Sequence, residues 1–230
     1  MKQLALGLAD PPAPGFDNFV AGRNAELLDA LRAQCVPQSS ERMVYCWGEA
    51  GSGRTHLLQA AAAHASAAGR QPMWFPEASA DGSALVLVDD VERLDGTAQG
   101  DLFCLYNELR DCGGCLLAAG NAAPAQLPLR ADLVTRLAWG LVYQVHALTD
   151  GEKIAALERH ARARGLRLPA EVSAYLLRHG RRDLRSLVAT LDALDRYSLE
   201  TQRAITLPLL RDLLHDTALP TSDSFQESTS

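Results

Sequence analysis

The first two thirds of the chain alternate short apolar runs with amphipathic segments. Five apolar runs predict strands, at 43–47, 73–75, 84–88, 115–119 and 141–145. The run at 84–88 (ALVLV) has no polar residue, as expected for a strand that is buried on both faces. Four segments with leucine or alanine at helical spacing predict helices, at 24–35, 56–68, 99–111 and 129–137. This alternation predicts an α/β domain with three layers around a parallel sheet.

After residue 148 the predicted strands stop and helices alone follow. The segment at 149–152 (TDGE) has the pattern of a capping box and predicts a helix to about residue 164. Pro169 and Gly180 bound a second helix, and two more are predicted at 183–199 and 207–215. We therefore predict four parts: a flexible arm (1–15), the α/β domain (16–148), a small all-α lid domain (149–216) and a disordered polar tail (217–230).

One connection in the α/β domain is unusually short. Only eight residues separate Phe75 from Ala84, which is too few for a helix that crosses between parallel strands. Either this part of the sheet is trimmed, or the strand that contains Trp74 lies at an edge of the sheet.

Composition and charge narrow the class of protein. An apolar fraction of 47% is enough for a full core. No apolar run approaches the roughly 20 residues of a membrane span, and the first residues do not resemble a signal peptide. We expect a soluble cytoplasmic protein with no membrane partner. Residues 1–150 carry 10 basic and 17 acidic side chains, and residues 151–220 carry 12 and 9. Because neither part is clearly basic, the charge disfavours binding of duplex DNA by this chain alone.

The five cysteines are odd in number and scattered, which does not fit a disulfide framework. Cys112 and Cys115 form a lone CxxC pattern just before a predicted strand. A redox pair usually opens a helix after a strand, and a zinc site would need a second pair. We interpret both cysteines as small apolar residues around a helix-to-strand turn.

Residues 48–55 (GEAGSGRT) have the glycine spacing of a phosphate-binding loop between a strand and a helix. Gly48, Gly51 and Gly53 would let backbone N–H groups converge on phosphate oxygens, and the helix N-terminus adds partial positive charge. Thr55 would place its hydroxyl on Mg²⁺. Arg54 stands where lysine is usual, and it favours bidentate contacts over a compact point charge. We expect this exchange to weaken the handling of a γ-phosphate more than nucleotide binding itself.

Asp89 and Asp90 follow the buried run at 84–88. An acid at the end of the strand beside a phosphate loop coordinates magnesium, which is the role predicted for Asp89, and the next acid, Asp90, orients water. The two motifs together predict a nucleotide site with ADP or ATP and Mg²⁺ as its ligands.

Several segments resemble a known family. The stretches GFDNFVAGRNAELLDAL, GEAGSGRTHLLQA, LVLVDD, DLVTRLAWG and DLRSLVATLDALD are similar to the ATPase core of the bacterial replication initiator DnaA, a member of the AAA+ family. The similarity runs from about Phe16 to Leu214. Three features resemble the Hda group of DnaA-related regulatory inactivators: Arg54 in the phosphate loop, the short N-terminal arm, and a lid with no helix-turn-helix domain after it.

The resemblance implies roles for further residues. Phe16, Phe19 and Val20 would border the adenine. Arg136 would be an arginine finger that reaches the nucleotide of a neighbouring subunit. Arg185 would be the lid arginine called sensor 2, and Asn121 lies near the sensor 1 position. Without the family, Arg136 and Arg185 would be ordinary surface arginines.

The arm contains a second motif. Its segment QLALGL resembles the peptide with which replication proteins bind the β sliding clamp of DNA polymerase III, so Gln3, Leu4, Leu6 and Leu8 are predicted clamp contacts. An extended peptide that offers leucines to an apolar pocket suits this mode of docking. The alternative is a leader that happens to contain leucines.

The resemblance implies a regulatory function. The chain would hold ADP or ATP, bind the clamp, and supply Arg136 in trans to ATP on DnaA. DnaA and the clamp are the expected partners, DNA would be reached only through the clamp, and a homo-oligomer is possible. The alternative is an AAA+ ATPase that loads a helicase. A truncated initiator is disfavoured because the chain has its own arm and a polar end.

Overall fold

The computed structural model describes residues 13–36, 42–80, 82–180 and 183–217. The chain divides into a unit of residues 12–149 and a second unit that begins at Asp150. The arm motif at 3–8 and the tail at 218–230 lie outside the described residues. In the described part of the chain, no helix has the length and hydrophobicity that crossing a membrane requires.

The first unit is built on a five-stranded parallel sheet. Its strands are β1 (Met43–Trp47), β2 (Gln71–Trp74), β3 (Ala84–Val88), β4 (Cys115–Gly120) and β5 (Leu141–Gln144). Their spatial order is β2-β3-β4-β1-β5, and each neighbouring pair is parallel. Four α-helices accompany the sheet: α1 (Ala25–Gln34), α2 (Arg54–Ala67), α3 (Gly96–Cys112) and α4 (Ala131–Trp139). Short 3-10 turns lie at Phe16–Asn18, Val91–Arg93 and Pro124–Gln126. The predicted three-layer α/β fold is confirmed.

Strand β3 shows why the central strands are apolar throughout. Leu85 and Leu87 pack into one hydrophobic core with residues of α1 and α2. Val86 and Val88 pack into a second core with residues of α3 and α4. Because successive side chains of a strand point to opposite faces, a strand covered by helices on both sides needs apolar residues at every position.

Of the two alternatives for the short connection, a trimmed sheet or an edge position of the strand with Trp74, the structure shows the edge position. Strand β2 is an edge strand, paired in parallel with β3 from Gln71 opposite Ala84 to Trp74 opposite Leu87. No helix lies in the described residues between them, 75–80 and 82–83. Strand β2 also begins two residues before the predicted start, at Gln71, because an edge strand needs ladder hydrogen bonds but not an apolar side chain at each position.

The second unit contains helices only in its described residues: α5 (Asp150–Ala163), α6 (Ala170–His179), α7 (Leu184–Thr201) and α8 (Leu207–Thr217). Buried leucines from all four helices form its core, including Leu157, Leu176, Leu187, Leu191 and Leu210. Pro169 precedes α6, and the carboxylate of Asp183 caps α7 by accepting a hydrogen bond from the Ser186 backbone N–H at 2.8 Å. The unit is the helical lid expected after the sheet domain.

Candidate functional site

The parallel sheet brings three loops to one edge. Trp47 at the end of β1 lies opposite Gly120 at the end of β4, and Val88 at the end of β3 lies opposite Ala118. The loops after these strands contain the glycine motif, the two aspartates and Asn121. Ligands of open parallel sheets bind at the carboxyl ends of the strands, so this edge is the candidate site.

The glycine loop adopts a conformation that other residues would strain. Gly51 and Gly53 have φ of +79° and +104°, which glycine adopts without steric cost. A Cβ atom on Gly53 would lie 2.8 Å from Cε2 of Phe19, and one on Gly48 would lie 2.5 Å from the Val145 carbonyl oxygen. Beside Gly51 a Cβ atom would meet nothing within 4 Å. The loop is therefore packed against the domain at both ends and open in its middle.

Two polar atoms of this loop are buried without a hydrogen-bond partner among the described residues. They are Oγ of Ser52 and Nη1 of Arg54. Helix α2 begins at Arg54, and its N-cap residue Gly53 provides no side-chain cap for the first N–H groups. Buried donors are normally paired, and a helix N-terminus attracts anions. These donors, which have no hydrogen-bond partner among the described residues, fit a phosphate group.

Thr55 and Asp89 form the second part of the site. The Thr55 hydroxyl donates a hydrogen bond to Oδ2 of Asp89 at 2.6 Å, which joins the start of α2 to the end of β3. No group of three or more His, Cys, Asp and Glu within the described residues is arranged to hold a metal ion. A hydroxyl and one carboxylate suit Mg²⁺, since that ion keeps several water ligands and takes the others from carboxylates and phosphates.

Arg54 turns toward acids. Its Nη2 lies 3.5 Å from Oδ1 of Asp90, and its Nη1 lies 3.8 Å from Oε1 of Glu92. The side chains of Arg54 and Glu92 are each 12% exposed. Asp90 itself has φ 46° and ψ 51° in the left-handed region, and its N–H donates to Oδ1 of Asp89 at 2.9 Å.

Sequence reasoning missed Glu92. It lies in the 3-10 turn Val91–Arg93 that follows the two aspartates, and its Oε2 accepts a hydrogen bond from the Asn121 backbone N–H at 3.2 Å. A third acid so soon after Asp89 was a signal in the sequence, but its link to β4 depends on the order of strands. Asn121 is exposed, and it contributes its backbone N–H to this contact.

The residues predicted to border the adenine have different surroundings. Phe19 lies against Gly53 and its ring centroid is 5.5 Å from that of His56 on α2. Phe16 is buried in the core, with an edge contact to His64 at 5.5 Å between ring centroids. Val20 is half-buried. Phe19 is therefore the member of this group in contact with the glycine loop.

Arg136 lies in the last turn of α4. Its Nε donates to Oδ1 of Asn107 on α3 at 3.0 Å, and its guanidinium carbon lies 4.2 Å from the ring centroid of Trp139. Trp139 is 59% exposed. Within the described residues, no carboxylate lies within salt-bridge distance of Arg136.

Arg185 belongs to the helical unit. It lies exposed in the first turn of α7.

Cys46 lies in β1, immediately before the glycine loop. Burial raises the pKa of its thiol to about 12, and the negative charge of Asp89 acts in the same direction. The thiol is therefore protonated at neutral pH and is not a nucleophile. Cys112 ends α3 and Cys115 begins β4, both as free thiols, so they flank the predicted helix-to-strand turn.

Comparison with known families matches two segments of the chain. Residues 12–73 match the model of the bacterial DnaA ATPase domain. Residues 150–214 match the model of the lid domain of Hda. Together the segments cover a little more than half of the chain, one in each unit.

Solved structures share the fold. Domain III of the replication initiation protein DnaA from Thermotoga maritima superposes with a TM-score of 0.72 at 23% identity, over 91% of this chain and 98% of that one. AMPPCP-bound DnaA from Aquifex aeolicus gives a TM-score of 0.65 at 22% identity, over 83% and 70% of the two chains. The Holliday junction branch migration motor RuvB from Thermotoga maritima gives 0.64 at 15% identity, over 90% and 75%.

Proposed function

Because this chain is an Hda-like, DnaA-related protein with an AAA+ fold, we propose that it is a nucleotide-bound regulator that stimulates hydrolysis of ATP held by DnaA. The result of this activity would be DnaA carrying ADP, which prevents re-initiation of chromosome replication. The chain would also bind the β sliding clamp through the motif at 3–8, so that the regulator works where DNA has been replicated. DNA would be contacted through the clamp.

The glycine loop supports nucleotide binding by this chain. The unpaired donors at Ser52 and Arg54 and the uncapped N-terminus of α2 suit the phosphates of ADP or ATP. Thr55 and Asp89 would hold Mg²⁺, which neutralises phosphate charge when it is bound. Phe19, with Phe16 and Val20 nearby in sequence, would border the adenine. DnaA from Aquifex aeolicus binds AMPPCP with this fold.

The surroundings of Arg136 are the observation that supports action in trans on ATP held by DnaA. No carboxylate in the described residues offsets the positive charge of Arg136, and its stacking on an exposed tryptophan holds the guanidinium near the surface. A guanidinium at the developing charge of a transferred phosphoryl group can contribute on the order of 10³ to 10⁵ in rate. Arg136 therefore suits an arginine finger directed at the nucleotide of DnaA.

Arg136→Ala tests this role. We expect the variant to fold, to bind its own nucleotide and to bind the clamp, but to lose stimulation of DnaA by at least about 10³-fold. The measurement is hydrolysis of DnaA-bound ATP in the presence of clamp loaded on DNA. Arg110→Ala removes an exposed arginine of α3 that pairs with Asp111 and is the matched control. Full stimulation by Arg136→Ala would remove Arg136 from the mechanism.

An AAA+ ATPase that loads a helicase is the second candidate. The hydrogen bond between Thr55 and Asp89 favours it, because this pair is what an active site for hydrolysis needs. The two functions differ in intrinsic turnover: a regulator that only holds its nucleotide hydrolyses it very slowly, whereas an ordinary enzyme turns over at about 10 per second. Turnover of that order by the isolated chain would favour the loader.

A further inference from the structure

The acids around Arg54 outnumber it. Asp90 and Glu92 both direct carboxylate oxygens at its guanidinium, at 3.5 Å and 3.8 Å. With Arg54 and Glu92 each 12% exposed, solvent screens their charges less than it screens a surface pair. Two carboxylates therefore share the Arg54 guanidinium beside a loop that fits phosphates.

Glu92 is the anchored member of the group. Its second oxygen, Oε2, accepts a hydrogen bond from the Asn121 backbone N–H at 3.2 Å, so the carboxylate is held between the ends of β3 and β4. Asp90, by contrast, is 35% exposed at its side chain and also pairs with Arg93 at 3.6 Å. Asp90 accepts the hydrogen bond from Nη2 at 3.5 Å, and Glu92 is the more buried and more firmly fixed of the two acids that hold the guanidinium.

The guanidinium is not saturated by these contacts. Nη1 of Arg54, the atom nearest Glu92, has an ion pair at 3.8 Å but no hydrogen bond among the described residues. A buried donor in this state can accept a further partner without losing an existing bond. The nitrogen of Arg54 that faces the fixed carboxylate of Glu92 is also the one without a hydrogen bond. Glu92 therefore governs how far that nitrogen can turn toward a phosphate.

We propose that Glu92 is a positioning residue that holds the Arg54 guanidinium toward the ends of β3 and β4 and so limits the contribution of Arg54 to the last phosphate of a nucleoside triphosphate. The inference rests on the nucleotide binding of the proposed function and adds a determinant of how the site distinguishes a triphosphate from a diphosphate. With Glu92 present, Arg54 is shared between two acids and the phosphates. Without the charge of Glu92, only Asp90, which is also paired with Arg93, competes with the phosphates for Arg54.

Glu92→Gln tests the inference through binding rather than turnover. We expect the affinity for ATP relative to ADP to rise by at least about fivefold over the wild-type ratio, measured by calorimetry at fixed Mg²⁺ concentration. Glu49→Gln is the matched control, since it removes the same charge from an exposed position within the glycine loop itself. Glu49→Gln should change both affinities by similar factors and leave their ratio within about twofold. A fivefold change lies within the usual range of coupling between residues in contact.

Arg54 must mediate the effect if the inference is right. In an Arg54→Gln background, Glu92→Gln should leave the ratio of ATP to ADP affinity unchanged. Should Glu92→Gln fail to fold, Glu92→Asp serves instead, because it keeps the charge but shortens the reach toward Nη1 and should raise the ratio as well. A shift equal to that of Glu49→Gln, or one that persists without Arg54, would overturn the inference.

The same preparations separate this inference from the proposed function. A wild-type chain that binds both nucleotides but does not stimulate DnaA would overturn the proposed function and leave the role of Glu92 standing. A wild-type chain that binds neither nucleotide would overturn both. Normal stimulation of DnaA together with an unchanged ratio in Glu92→Gln would overturn only the role of Glu92.

Discussion

At the scale of single residues, the conformation of the phosphate loop depends on glycines whose surroundings differ. Gly51 and Gly53 both have positive φ, but Gly53 also lies against the ring of Phe19, whereas Gly51 has open space beside it. The first property strains any side chain, and the second adds a steric clash. The two positions therefore separate the backbone cost of a substitution from the packing cost.

Gly51→Ala and Gly53→Ala use this difference. Gly51→Ala should lower the free energy of unfolding by roughly 1–2 kcal/mol, the cost of a left-handed conformation for a residue with a Cβ atom. Gly53→Ala should lower it further and weaken nucleotide binding, because Phe19 must move away from the loop. Urea denaturation and calorimetric titration with ADP measure both effects. Equal losses of stability in the two variants would contradict the predicted role of Phe19.

At the scale of elements, a buried arginine joins the end of a helix to the sheet. Arg70 is 4% exposed and lies just before β2. Its Nη1 donates to the carbonyl oxygens of Gln34 and Val36 at the end of α1, at 2.8 and 3.0 Å, and its Nε donates to that of Ser83 before β3 at 3.0 Å. A cation is favourable at a helix C-terminus, and here it also fixes the entry to β3.

Arg70→Met should destabilise the first unit. The substitution keeps much of the apolar stem but removes the donors that Arg70 offers to the carbonyl groups of Gln34, Val36 and Ser83, which costs at least about 2 kcal/mol. Arg110→Met, in which an exposed pair with Asp111 is lost, should cost less than about 1 kcal/mol. Denaturant unfolding of both variants gives the comparison. Similar values for the two variants would show that Arg70 does not hold these elements together.

At the scale of the whole molecule, the proposed function requires attachment as well as a nucleotide site. The net charge is −6, with 17 acidic and 10 basic side chains in residues 1–150. Electrostatic attraction to a DNA backbone is therefore weak over this part of the chain. An apolar peptide that binds a clamp on DNA would provide attachment by other means.

The clamp motif is tested by combining Gln3→Ala with Leu4→Ala. We expect this double variant to lose co-elution with the β clamp while thermal stability and nucleotide binding stay unchanged. The reason is that the motif would contribute its glutamine and leucines to the partner. Lys2→Ala combined with Asp10→Ala changes the same segment outside the motif and should bind normally. Clamp binding at wild-type affinity by the Gln3 and Leu4 variant would make the segment a mere leader.

Much of the fold was predictable from the sequence because it depends on local pattern. The apolar run at 84–88 and the helical spacing around it predicted a buried strand between helices, and the structure confirms the α/β class.

The starts of helices were harder to predict than their existence. Helix α3 begins at Gly96, three residues before the predicted start, because Asp95 accepts a hydrogen bond from the Ala98 N–H at 2.9 Å.

The residue types at the phosphate loop and after β3 could be assigned to a site from the sequence, because motif spacing and periodicity are properties of neighbouring positions. The partners of these residues follow from the tertiary structure. The contact of Arg54 with Glu92 and that of Glu92 with Asn121 depend on β3 lying beside β4, and the position of β2 at the edge depends on strand order. Contacts between residues distant in the chain follow from packing of whole elements, which no local pattern encodes.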